Sequence, residues 1–226
     1  MTETIHLTSR RLRTPRAAAV AGLLFAALLI AVLVLFLSSV PKDPLEQGAW
    51  LSVSVGKVVV AINLIPFAGV AFLWFIGVVR DRLGEAEDRL FATVFLGSGL
   101  LFLAILFVAA AVFGAIVVVY AAYPDGLANS PTFALARAFA YVLVNVYAIK
   151  MAGVFMMVTS TLGLRTGFIA RWIAILGLVL ALCLLFGSQQ FDWSFAVFPA
   201  WVLLISSYIL VDNFQLVPPR RVPRTD

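Results

Sequence analysis

Apolar residues fill this chain in six long blocks, parted by short polar stretches. The blocks run over 17–40, 58–79, 90–122, 133–162, 168–186 and 193–211. A helix needs about 20 apolar residues to cross a bilayer, and each block is near or above that length. Backbone N–H and C=O groups must pair within a spanning segment, which a helix achieves by itself. The pattern predicts an all-α, polytopic transmembrane bundle of six spanning helices. Residues 1–16 read as a basic tail, 17–212 as a single transmembrane domain, and 213–226 as a Pro/Arg tail.

The third block, Leu90–Ala122, holds 33 residues without a proline or a polar cluster. As one helix it is ~50 Å long at ~1.5 Å per residue. Two spans would need ~40 residues and a turn. It reads as one long, tilted helix with Gly97 and Gly99 at a close helix contact, because small residues let backbones approach. Between the first two blocks lies PKDPLEQGAWLSVSVGK, where Leu51, Val53 and Val55 alternate with serines. That stretch is open to two readings, a short extended piece or the first turns of a protruding second helix. The first block follows Arg10, Arg11, Arg13 and Arg16, as a signal peptide would. It is too long for a typical cleaved signal, and no A-x-A site follows, so it reads as a retained span.

Positive charge sets the expected orientation. Twelve arginines fall in the two tails and in the loops after the second and fourth spans, against only Lys42 and Lys57 in the alternate loops. Arginine and lysine favour the cytoplasmic side, so both termini are expected there. Trp50 and Trp193 then mark the outer interface, and Trp74, Trp172 and Tyr208 the inner one, while Trp201 lies deeper as a packing residue.

Composition agrees with this reading. The chain is 63% hydrophobic and 12% charged, with a mean hydropathy of +1.08. Soluble domains are about 45–50% apolar and about 25% charged. The net charge of +5 does not point to nucleic acid here. It meets anionic lipids at the cytoplasmic face of a bacterial inner membrane. A single cysteine, Cys183, excludes an internal disulfide and dithiol chemistry, and the single histidine, His6, lies in the first tail. No cofactor or metal set is expected. The string LGSGL around Ser98 lacks a nearby base, so it reads as a packing motif rather than a nucleophile site.

Few polar groups remain inside the spans, and they fall mainly on the fourth. Arg137, Tyr141 and Asn145 are spaced by four, while Tyr147, Lys150, Val154, Met157 and Thr161 alternate by three and four. These two faces are adjacent enough to line one cavity. Lys150 lies ~20 Å along that helix from both Arg137 and Arg165, near the midplane. A charge there faces the bundle interior and often marks function. The expected neighbours of its amine are Asn145, Tyr147 and Asn63. Asn63 itself precedes Pro66 in the second span, where a proline frees a carbonyl. No Asp or Glu lies inside a span except Asp212 at the end of the last, so acid-based cation coupling is not expected. A countercharge for Lys150 would come from a partner membrane subunit, a second copy of the chain or an anionic lipid.

The segment PFAGVAFLWFIGVVRDRLGEAEDRLFATVFLGSGLLF, Pro66 to Phe102, resembles that of uncharacterised bacterial, including actinobacterial, multi-span membrane proteins. The resemblance implies no activity. The expected function is that of a non-enzymatic membrane-bundle subunit or lipid-binding component. The alternative is a small transporter or channel for an anionic or amphiphilic solute using the fourth span. A through-going cavity would favour transport, and a closed apolar bundle would oppose it.

Overall fold

The computed structural model describes residues 14–83, 89–187 and 194–215. Most of both expected tails, the acidic stretch 84–88 and the stretch 188–193 with Trp193 lie outside the described residues. Every regular element among the described residues is helical. The helices are α1 (Thr14–Leu37), α2 (Leu51–Leu83), α3 (Arg89–Ala122), α4 (Pro124–Leu127), α5 (Pro131–Val142), α6 (Ile149–Thr166), α7 (Arg171–Gly187) and α8 (Ser194–Gln215). A 3-10 turn, Gly48–Trp50, leads into α2, and a π-helical segment, Leu143–Ala148, joins α5 to α6 without a break.

Five stretches are long and apolar enough to cross a membrane: Ala19–Leu37, Gly48–Arg80, Leu90–Ala122, Pro131–Thr166 and Ser194–Val211. Helix α7 is apolar but has only 17 residues. The outer surface suits hydrocarbon, with Trp74, Val118 and Phe186 all exposed. Water would penalise such a surface, whereas lipid tails do not.

The second span starts earlier than its apolar block. Leu51–Val55 is helical, so the alternation there does not mark an extended piece. Leu51 is buried against Ile116, Leu127 and Phe133, which holds this first turn in place. Helix α3 is continuous over 34 residues, as its unbroken apolar run predicts. Of the two glycines expected at a helix contact, Gly99 meets Ile76 and Phe155, so a larger side chain there would collide. Gly97 faces open space, which corrects the expectation that both sit at the contact. The two are two residues apart, and on a helix such positions point to different faces.

Helix α1 packs between α2 and α8, α3 packs on α2 and α6, and α7 packs on α6 and α8. These contacts close a ring. Two glycines set its tightest crossings. Gly22 brings α1 onto Phe75 and Ser206, and Gly177 brings α7 onto Ser160 and Trp201. Gly167 ends α6 with a φ of 70°, a left-handed cap that a residue with a Cβ adopts at a cost.

The two ends of the bundle differ. One end gathers the 41–50 connection, α4 and the start of α5. There the Gly48 N–H donates to the Ala128 carbonyl at 2.8 Å. At the other end, the Arg165 guanidinium lies 4.5 Å over the Phe91 ring. These are termed the Arg137 end and the Gly167 end. Below the middle of the bundle sits a phenylalanine cluster. Phe72 stacks on Phe75, tilts against Phe25 and Phe155 and meets Phe102 and Phe198 edge-on, with ring centroids 4.5–6.2 Å apart. Such ring pairs contribute about 0.5–1.5 kcal/mol each beyond their buried area.

Candidate functional site

A partly open cavity of about 260 Å³ occupies the Arg137 end of the bundle. Its walls come from α1, α2, α3, the α5–α6 helix, α7 and α8. Most of the lining is apolar, including Leu29, Val32, Phe36, Ile65, Leu106 and Phe113. Lys42, Arg137, Tyr141, Asn145 and Ser194 supply the polar side chains. An apolar cavity of ~150 Å³ holds a benzene molecule, so this one has room for a hydrocarbon chain segment. Leu37, Lys42 and Tyr141 are exposed and mark its mouth.

The floor is closed. Phe102 and Phe198 line the cavity, with ring centroids 4.9 Å apart. Behind them stand Phe72 and Phe155, both fully buried. The cavity therefore ends on the phenylalanine cluster and does not continue toward the Gly167 end.

Arg137 is the most constrained polar group of the site. Ser130 starts its helix: the side-chain oxygen accepts from the Phe133 N–H at 3.2 Å, and Pro131 occupies the first turn. This places Arg137 two turns in, at 3% exposure. Its Nη2 donates to the carbonyls of Pro41 and Asp43, both at 3.0 Å. The guanidinium carbon lies 5.3 Å from the centre of the Trp50 ring, a cation–π contact. Nη1 is buried and has no hydrogen-bond partner among the described residues. The carboxylates of Glu46 and Asp43 act on the guanidinium from a distance, yet neither lines the cavity.

The structure brings Arg137, Tyr141 and Asn145 together on the cavity wall. Tyr147 and Lys150 lie off that wall, and Tyr147 is exposed. The π-helical segment explains how the spacing-four stripe stays on one side. An ideal α-helix turns ~100° per residue, so four residues overshoot a turn by ~40°. The wider π turn between Leu143 and Ala148 takes up that drift. Ile149 and Ala152 then continue the wall into α6.

Lys150 is half-buried and makes no hydrogen bond or ion pair among the described residues. The expected contacts with Asn145, Tyr147 and Asn63 are not formed there. The Asn145 amide donates to the Tyr141 carbonyl at 3.0 Å, and the Asn63 amide donates to the Val59 carbonyl at 2.8 Å. Each amide is thus spent on its own helix. Asn63 borders a separate shallow groove with Pro66 and Phe107. That groove shares only Ile65 and Ala110 with the main cavity.

Reading the spans did not single out Phe36, Phe113, Phe102 or Phe198 as site residues. One apolar residue among many carries no local signal, and only tertiary packing reveals which of them face a void. No protein-family model matches this sequence, and neither a curated protein nor a solved structure gives a match.

Proposed function

We propose that this protein is a non-enzymatic, membrane-embedded binder of a single-chain amphiphile. The single observation that carries this reading is the cavity itself: apolar along its length, charged at its mouth and closed at its floor. An amphiphile matches such a gradient, with its chain against Leu106 and Phe113 and its head beside Lys42 and Arg137. The closed phenylalanine floor favours binding over passage, so a transporter or channel is the weaker reading.

The topology proposed with it has six spans and both termini on the cytoplasmic side of a bacterial inner membrane. Helix α7 is the sixth span, since 17 residues lie at the short end of the ~17–25 range. The arginine asymmetry supports the orientation. It places the Arg137 end, and hence the cavity mouth, on the outer side. In a Cys183→Ser background, Ala128→Cys should react with an impermeant thiol reagent from outside intact cells. Labelling only after the membrane is opened would reverse the orientation.

The binding reading is tested with a neutral alkyl alcohol bearing a diazirine on its chain. Photolysis in phosphatidylcholine nanodiscs should label Leu106, Phe113 or Phe198. Labels confined to the outer surface, on residues such as Trp74 or Phe186, would contradict a chain-binding cavity.

A further inference from the structure

Arg137 is held from three sides, and one side of it remains unspent. Its Nη2 is committed to the Pro41 and Asp43 carbonyls, and its face to Trp50. Its Nη1 is buried without a partner among the described residues. A buried donor left unpaired is costly, and the cost is greater on a charged group. Natural structures rarely leave such a donor without a partner of some kind.

The charge balance of the lining points the same way. Arg137 lines the cavity, whereas Asp43 and Glu46 do not. The Arg137 hydrogen bonds go to neutral carbonyls, so no carboxylate oxygen occupies the guanidinium fork. Tyr141 and Asn145 follow on the same wall, one and two helical turns further along the helix.

We infer that the occupant carries an anionic oxygen head, a carboxylate or a phosphate monoester, received by the Arg137 guanidinium with its alkyl chain directed at Phe113 and Phe198. This rests on the amphiphile-binding reading above and adds the class of ligand. Oxygen anions suit a guanidinium because charge-assisted hydrogen bonds are shorter and stronger than neutral ones. The low-dielectric surroundings of a bundle strengthen the contact further. A neutral alcohol head would accept a bond without offering charge. A quaternary ammonium head would meet the like charge of Arg137.

The same Arg137 also ties the 41–50 connection to α5 through its two carbonyl contacts. Replacing it disturbs that connection as well as the site. The decisive comparison therefore uses the unaltered protein and varies the head. Binding of radiolabelled dodecanoate to the full chain in phosphatidylcholine nanodiscs is measured at about pH 8, well above the ordinary carboxyl pKa. Dodecyl phosphate, dodecan-1-ol and dodecyltrimethylammonium are then used as competitors, with empty nanodiscs as the background.

The expected result is that dodecanoate and dodecyl phosphate bind about tenfold or more tightly than dodecan-1-ol, with the ammonium weakest. Arg137→Met should abolish that preference, and Arg137→Lys should retain only part of it, since lysine lacks the planar fork. Equal affinity for all four chains would overturn the anionic head while leaving the cavity reading intact. No binding above empty nanodiscs for any chain, the alcohol included, would remove the cavity reading and this inference with it. An anion preference that survives in Arg137→Met would overturn the assignment to Arg137. Nanodiscs containing phosphatidylglycerol assign the source. Displacement of dodecanoate by that lipid identifies a bilayer head group, and its absence a free single-chain anion; both keep the anionic oxygen at Arg137.

Discussion

The two ends of this bundle are built from the same residue types and do opposite things with them. Toward the Gly167 end, phenylalanines from α1, α2, α3, α6 and α8 meet ring to ring. Toward the Arg137 end, Phe36 and Phe113 meet each other at 4.8 Å, but beside them lies a cavity of about 260 Å³. Between helices in lipid, packing supplies most of the association energy, because lipid tails are as apolar as the side chains. A void is therefore a real loss of contact on one side of every residue that lines it. The fold concentrates its packing in one half and leaves the other open where polar groups gather. That division is what the binding account rests on.

The largest expected effect separates the halves most sharply. Phe72 is fully buried and touches five other rings. Phe72→Ala should destabilise the protein by about 3–5 kcal/mol, the usual range for a buried aromatic truncation. Thermal unfolding in a mild detergent reads this. Phe113→Ala, at the cavity, should cost under about half as much, because Phe113 is only partly buried. Similar losses at both sites would erase the distinction between the ends.

A smaller stability effect with a complete functional one is expected at Ala109, which is buried and lines the cavity. Ala109→Phe places a ring into existing space. Its cost should stay below about 1 kcal/mol, less than the ~1–3 kcal/mol of overpacking a full core. Chain binding should be lost. If the variant unfolds, the space is not as free as the structure indicates. If it folds and still takes up dodecanoate, the chain lies elsewhere.

The smallest effect is expected at Lys150. It stands off the cavity wall and forms no hydrogen bond among the described residues. Lys150→Met should leave dodecanoate affinity within about twofold, a change of under ~0.5 kcal/mol in binding. A tenfold loss in the titration would move the site to that side of α6.

Much of this architecture was legible in the order of residues, and the site only in part. Helix α3 followed from a run with no breaker, and the stripe Arg137, Tyr141, Asn145 from its spacing. Lys150 drew attention because a charge at midplane is unusual, yet its position along the helix said nothing of its angle. That angle depends on the π-helical segment Leu143–Ala148, and an assumed 3.6-residue period does not anticipate a wider turn. The early start of α2 was hidden for another reason. Ser52 and Ser54 look like strand alternation in isolation, and the burial of Leu51 against Phe133 decides for helix. The phenylalanine floor was invisible because nineteen phenylalanines are spread through the chain. Only packing selects those that meet.

The most direct test is an experimental density map of the full chain in phosphatidylcholine nanodiscs, recorded with and without dodecanoate. The account predicts an elongated feature inside the cavity, its head within hydrogen-bond reach of the Arg137 guanidinium and its tail against Phe198. The phenylalanine cluster should stay closed in both maps. A chain bound on the outer surface, or an open passage past Phe72 and Phe155 to the Gly167 end, would contradict it.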